Sequence, residues 1–135
     1  MLKVKQIMST RITPLSVSTP LVDAVDRLLQ SGFLGLPVID EKRQLVGFLS
    51  EQDCIKALVN DTYHCDTHLL VADIMHKKPL FVSPELSVLE LATIMGRDKP
   101  KLFPVVDDIQ RVVGIVSRAQ VMNSLNQSLK ACRVA

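Results

Sequence analysis

At 135 residues the chain has the size of one compact domain, and a content of 47% apolar and 22% charged residues excludes a disordered chain. Its 16 basic and 14 acidic residues are scattered, leaving a formal charge of +2 and no concentrated basic stripe, so no nucleic-acid partner is implied. No apolar run approaches the ~18 to 20 residues that span a bilayer, and Met1 to Met8 lack the apolar centre of a signal peptide. A cytoplasmic protein without a membrane partner is therefore expected.

In chain order, Leu15 to Val17 reads as a short extended piece. Thr19 followed by Pro20 has the form of an N-cap and a first helical residue, and Leu21, Val25 and Leu28 then recur at helical spacing until Gly32 stops the helix. Leu36-Pro37-Val38-Ile39 is an apolar run suited to a buried strand, its proline favouring an initial or edge position. The polar turn Asp40 to Gln44 leads into Leu45 to Leu49, the second strand of a hairpin, and Cys54, Ile55, Leu58 and Val59 mark the stripe of a second helix.

The same order then returns. Leu80 to Val82 is extended, Ser87 and Glu90 have capping-box spacing ahead of Leu91, Ile94 and Met95, and Leu102 to Val106 and Val112 to Val116 form a hairpin. Val121, Met122, Leu125 and Leu129 mark the last helix. Sliding the chain along itself superimposes the halves without a gap: Val4, Ile7 and Met8 fall on Val71, Ile74 and Met75, and Pro37, Val38 and Asp40 on Pro104, Val105 and Asp107. Val46, Gly47 and Ser50 likewise fall on Val113, Gly114 and Ser117. The chain is thus a β-α-β-β-α unit written twice, over 4–58 and 71–125, with a connector at 59–70 and a weakly patterned tail at 126–135. A unit of ~60 residues buries only about 60% of its unfolded surface, so the two copies are expected to pack together.

Leu36-Pro37-Val38-Ile39-Asp40 through Gly47-Phe48-Leu49-Ser50-Glu51-Gln52-Asp53, with Phe103-Pro104-Val105-Val106-Asp107 and Gly114-Ile115-Val116-Ser117, resembles the defining stretch of a CBS domain. The resemblance covers about residues 4–125. It implies an α/β fold in which two β-α-β-β-α repeats pack about a pseudo-two-fold axis, with clefts between them that bind AMP, ADP, ATP or S-adenosylmethionine as regulatory ligands. It also implies a homodimer.

Ser50 and Asp53 stand where the second strand gives way to the second helix. Their spacing is that of a capping box. By resemblance, Asp53 would hold a ribose and Ser50 would lie near a phosphate, at a helix N-terminus whose free N–H groups favour anions. The second copy offers Ser117 and Gln120, which can close the same box but lack the carboxylate, so that cleft is expected to be weakened or empty. Family geometry places Pro79, Leu80 and Phe81 near the base, although the core is an equally good account of Leu80 and Phe81. Lys101 or Arg118 could meet a phosphate, and each also reads as a solvated surface charge.

Cys54, Cys65 and Cys132 read as free thiols, Cys54 on an apolar stripe rather than as a nucleophile. The connector Tyr63-His64-Cys65-Asp66-Thr67-His68 carries soft ligands but no second paired motif, so no metal is expected. No catalytic set or glycine-rich phosphate loop occurs, and a non-enzymatic regulatory module without a required cofactor is the leading expectation. Its signal would pass through dimer geometry or a target protein. A ligand-free dimerisation or protein-interaction module is the alternative.

Overall fold

The computed structural model describes residues 1–64, 68–97 and 100–134. The first copy begins with a one-turn helix α1 (Val4–Ile7), followed by strand β1 (Leu15–Ser16), helix α2 (Leu21–Ser31), the hairpin of β2 (Gly35–Ile39) and β3 (Leu45–Ser50), and helix α3 (Glu51–His64). The second copy has α4 (Val71–Ile74), α5 (Val88–Arg97), the hairpin of β4 (Leu102–Val106) and β5 (Val112–Ser117), and α6 (Arg118–Val134). Two copies of one mixed α/β unit are therefore present, each with a leading helical turn added to the expected order.

Local chemistry accounts for most of these elements. Leu21, Ala24 and Leu28 bury one face of α2, and Gly32 ends it at φ 75°, in the left-handed region that only glycine adopts without strain. Pro20, not Thr19, occupies the N-cap position of α2. The Thr19 hydroxyl instead accepts the Ser16 N–H at 3.1 Å and Thr19 is buried, so it closes the preceding turn.

β2 lies between β1, which is parallel to it, and β3, which is antiparallel, whereas β4 and β5 form a two-stranded antiparallel sheet. A central strand containing Pro37 departs from the expected edge position. The second copy shows why it is tolerated: Val82 N–H donates to the Pro104 carbonyl at 3.1 Å, and Val106 N–H donates to the Val82 carbonyl at 2.9 Å. The parallel contact uses a proline's carbonyl and the N–H two residues on, never the missing N–H. That contact is also all that becomes of the expected strand Leu80 to Val82, a single bridge from Val82 to Val105. The expected tail is largely helical, because α6 continues to Val134.

The two copies interlock by exchanging their leading segments. Val4 N–H donates to Leu86 and Lys5 N–H to Pro84, while Val88 N–H donates to Leu2. In the counterpart set, Val71 N–H donates to Thr19, Ala72 N–H to Val17, and Leu21 N–H to Leu69. Each bond of one set joins positions equivalent to those joined in the other. Ser9 and Ile115 exchange both backbone hydrogen bonds, as do His76 and Phe48. Consequently Val4 is fully buried in the core built around Leu91, Phe103 and Val116, and Val71 in the core built around Leu15, Leu36 and Leu49. The hairpin turns meet on the axis itself: Leu45 N–H donates to Gln110, Val112 N–H donates to Arg43, and Gln44 pairs with Arg111.

Candidate functional site

The hairpin β2–β3 delivers the chain directly into α3, so the first residues of that helix stand at one end of the sheet. There Ser50 and Asp53 form a reciprocal box. The Ser50 N–H and hydroxyl both donate to Asp53 Oδ2, at 3.1 and 2.9 Å, and the Asp53 N–H donates to Ser50 Oγ at 3.1 Å. Two donors on one oxygen leave Oδ1 uncommitted. Asp53 is half-buried, and its first-turn carboxylate suits the positive end of the helix.

Ser117 and Gln120 repeat the box with different chemistry left over. Gln120 Oε1 accepts from the Ser117 N–H at 2.8 Å and from its hydroxyl at 3.3 Å, and the Gln120 N–H donates to Ser117 Oγ at 3.4 Å. The carboxamide's remaining group is an NH₂, a donor, where the carboxylate's is an acceptor. The capping role is thus shared by both copies, whereas acceptance of a ligand hydroxyl is open only to Asp53.

A cleft of about 360 Å³ opens beside the first box, lined by Leu34, Phe48, Ser50, Glu51 and Gln52 of the first copy and by Lys101 and Leu102 of the second. Leu34 and Lys101 are themselves equivalent positions of the two copies, so the cleft lies across the contact between repeats. Backbone bonds fix its rim: Glu51 N–H donates to the Leu34 carbonyl at 2.9 Å, and Arg118 N–H to the Lys101 carbonyl at 3.0 Å. The arrangement offers apolar walls, a hydroxyl and an ammonium facing one volume.

Of the residues singled out in the sequence, Ser50 and Lys101 share this cleft, and Asp53 adjoins it through its bonds to Ser50. Pro79, Leu80 and Phe81 are not among its lining residues; Leu80 and Phe81 are 60% and 49% exposed, which also removes them from the core. Arg118 instead borders a groove between α5 and α6. Leu34, Phe48 and Gln52 had not been singled out. The signal for Leu34 was its place in the first copy, matching that of Lys101 in the second.

Cys54, next to Asp53, is buried in the first core. Burial, and secondarily the Asp53 carboxylate, push its thiol up to about 11. It is a packing residue rather than a nucleophile. Among the described residues no group of three His, Cys, Asp or Glu side chains could hold a metal, and no helix is long and apolar enough to cross a membrane. The expectations for the connector from Tyr63 to Thr67 fall on side chains outside the described set.

Comparison with known proteins adds to this geometry. The CBS domain family model matches residues 4–60 and 71–127. The CBS-pair protein CBSX2 from Arabidopsis thaliana, crystallised in complex with AMP, superimposes with a TM-score of 0.82 at 28% identity, covering 94% of this chain and 98% of that one. The CBS domain pair of protein MJ0100, in complex with 5′-methylthioadenosine and S-adenosyl-L-methionine, gives 0.77 at 26% identity over 95% and 98% of the two chains. Inosine-5′-monophosphate dehydrogenase from Nitrosopumilus maritimus is 30% identical over 126 residues, which make up 91% of this chain and 25% of that protein. The chain thus spans a quarter of that enzyme.

Proposed function

The chain belongs to the CBS domain family as a tandem pair of repeats, and from that premise we propose that it is a regulatory module sensing an adenosine-containing ligand. The observation that carries the reading is the cleft between the repeats, where Ser50 and the start of α3 face Lys101 across apolar walls. Its volume and mixed lining suit a small ligand with an aromatic face and a polar end. Two related pairs, similar over nearly their whole length, were crystallised with AMP and with S-adenosyl-L-methionine and methylthioadenosine.

In this reading the Leu34, Phe48 and Leu102 walls take the adenine, Asp53 Oδ1 accepts a ribose hydroxyl, and Lys101 meets a phosphate or carboxylate. Pro79, Leu80 and Phe81, a segment of the second copy in which Pro79 is half-buried and Leu80 and Phe81 are exposed, stand outside the residues that line the cleft. A ligand that touches both repeats biases their relative arrangement by its difference in affinity for the available states. With Lys101 as the one ammonium among the described lining residues, AMP or S-adenosylmethionine is favoured over ATP. Calorimetric titration with AMP, ATP and S-adenosylmethionine tests the reading: saturable binding of at least one is expected, and binding of none overturns it.

The output runs through association in the cytoplasm. Ile55 and Val59 on α3 and Met122 and Leu129 on α6 are 58%, 68%, 70% and 59% exposed, and Ile55 and Met122 are equivalent positions of the two copies. Such a face supports a homodimer, or docking on a target protein. Sedimentation with and without AMP separates a ligand-responsive dimer from the ligand-insensitive interaction module that remains the alternative.

A further inference from the structure

A second cavity, of about 480 Å³, lies at the opposite end of the first sheet. It is bounded by the carboxyl ends of β1 and β2, the Asp40 to Gln44 turn, and the side of α2. The length of β2 separates it from the adenosine cleft, roughly 16 Å along the strand. The carboxyl ends of adjacent parallel strands are where open α/β sheets commonly take ligands.

Its lining sets two cations and two hydroxyls beside two carboxylates. Arg27 projects into it from α2 and Lys42 from the turn, and neither side chain has an ion pair or a hydrogen bond among the described residues. Ser16 and Ser18 add two hydroxyls 2.9 Å apart, held by the Ser18 N–H donating to Ser16 Oγ. Asp40 Oδ1 accepts the N–H groups of Lys42 and Gln44 at 2.8 and 2.9 Å, which ties up that oxygen but leaves the carboxylate's charge, and Glu41 is exposed, as are Arg27, Lys42, Ser16 and Ser18.

The duplication supplies an internal comparison. At the positions equivalent to Arg27 and Lys42 the second copy has Ile94 and Ile109, and for Ser18 it has Glu85, which is committed to Lys3 and Lys5. The same fold therefore forms without either cation or the second hydroxyl. Two unpaired cations converging on one cavity in one copy alone are not explained by folding. We propose that this cavity binds a phosphate group. A guanidinium, an ammonium and the one hydroxyl proton not spent between Ser16 and Ser18 supply donors that match the several oxygens of a tetrahedral dianion.

The test is amide NMR of the full chain titrated with inorganic phosphate and, separately, with glycerol 3-phosphate, at low ionic strength. Saturable movement of the Ser16, Ser18, Arg27 and Lys42 resonances is expected with at least one of them. Free phosphate acting alone, or the ester acting more tightly, identifies the source. The double variant Arg27→Gln, Lys42→Gln should weaken the response at least ten-fold while keeping the wild-type pattern elsewhere, and Asp53→Ala should leave it unchanged. No saturable response from either compound, or one that survives the double substitution, overturns the proposal. Neither outcome bears on the adenosine cleft, which is monitored separately at Ser50 and Lys101.

Discussion

The Met8 sulfur packs so closely on Gly114 that a β-carbon there would lie 2.7 Å from Sδ and 2.9 Å from the Ser9 carbonyl oxygen. Met75 covers Gly47 in the same way in the other copy. The glycines are therefore required by the exchange of leading segments, since the backbone bonds of Ser9 with Ile115 and of His76 with Phe48 bring the crossing chains over them. Gly114→Ala should cost about 1–3 kcal/mol through overpacking of this contact. Gly96→Ala, in α5 with nothing within 4 Å, should instead stabilise by up to ~1 kcal/mol. Urea unfolding of both variants checks the pair, and equal effects would sink the explanation.

Asp53 serves two readings that one substitution separates. Asp53→Gln writes the second copy's residue into the first and should keep the capping box, as Gln120 does at 2.8 Å from the Ser117 nitrogen. It replaces the free acceptor with a donor. Stability should change by less than the ~1 kcal/mol typical of a lost cap, while affinity for an adenosine ligand should fall at least ten-fold, the scale of a lost charge-assisted hydrogen bond. Calorimetry on the folded variant reads this directly. Undiminished binding would remove Asp53 from the site and leave it a cap.

The repeats, the hairpins and the box at Ser50 were legible because each leaves a local signature: a constant shift that keeps apolar positions, a polar turn between apolar runs, and a serine followed at capping-box spacing by an acid or amide. The interlock was not. The α1 and α4 segments are single turns, too short for a helical period, and their bonds run to distant parts of the chain, as from Val4 to Leu86 and from Val71 to Thr19. The core alternative for Leu80 and Phe81 fails, since they are exposed, because an apolar run alone does not say how many neighbours will pair with it. Lys101 was singled out for its charge, but Phe48 and Leu34 read as ordinary apolar residues until the fold brought them to the same cavity.

Cys54 gives a pH-dependent prediction. Its folded value of about 11 lies above the ordinary thiol value, so the unfolded chain loses the proton first. Its contribution is intact below the ordinary thiol range and is lost as pH rises toward about 11. Cys54→Ala should flatten this alkaline loss while lowering stability at neutral pH through the cavity it leaves. Alkylation mapped by mass spectrometry at pH 8 should label the exposed Cys132 and spare Cys54 until the chain unfolds. Fast labelling of native Cys54 would contradict its burial.

The leading helix α1 is held to the second copy by charge as well as by backbone. Glu85 takes Lys3 at 2.8 Å and Lys5 at 3.0 Å, and these hydrogen bonds hold its carboxyl below the ordinary carboxylate range. The sign follows: the contacts are fully present above the ordinary value and disappear as pH falls through the lowered one. All three side chains are exposed, so salt should screen the effect and global stability should barely move. The local consequence is measurable because Lys5 N–H donates to Pro84 beside Glu85, whereas the equivalent Ala72 N–H donates to Val17 with no charged partner at Ser18. Glu85→Gln should therefore speed hydrogen exchange at Lys5 at low salt and leave Ala72 unchanged. Equal protection of Lys5 in both proteins would show that the backbone bonds alone secure the exchanged segment.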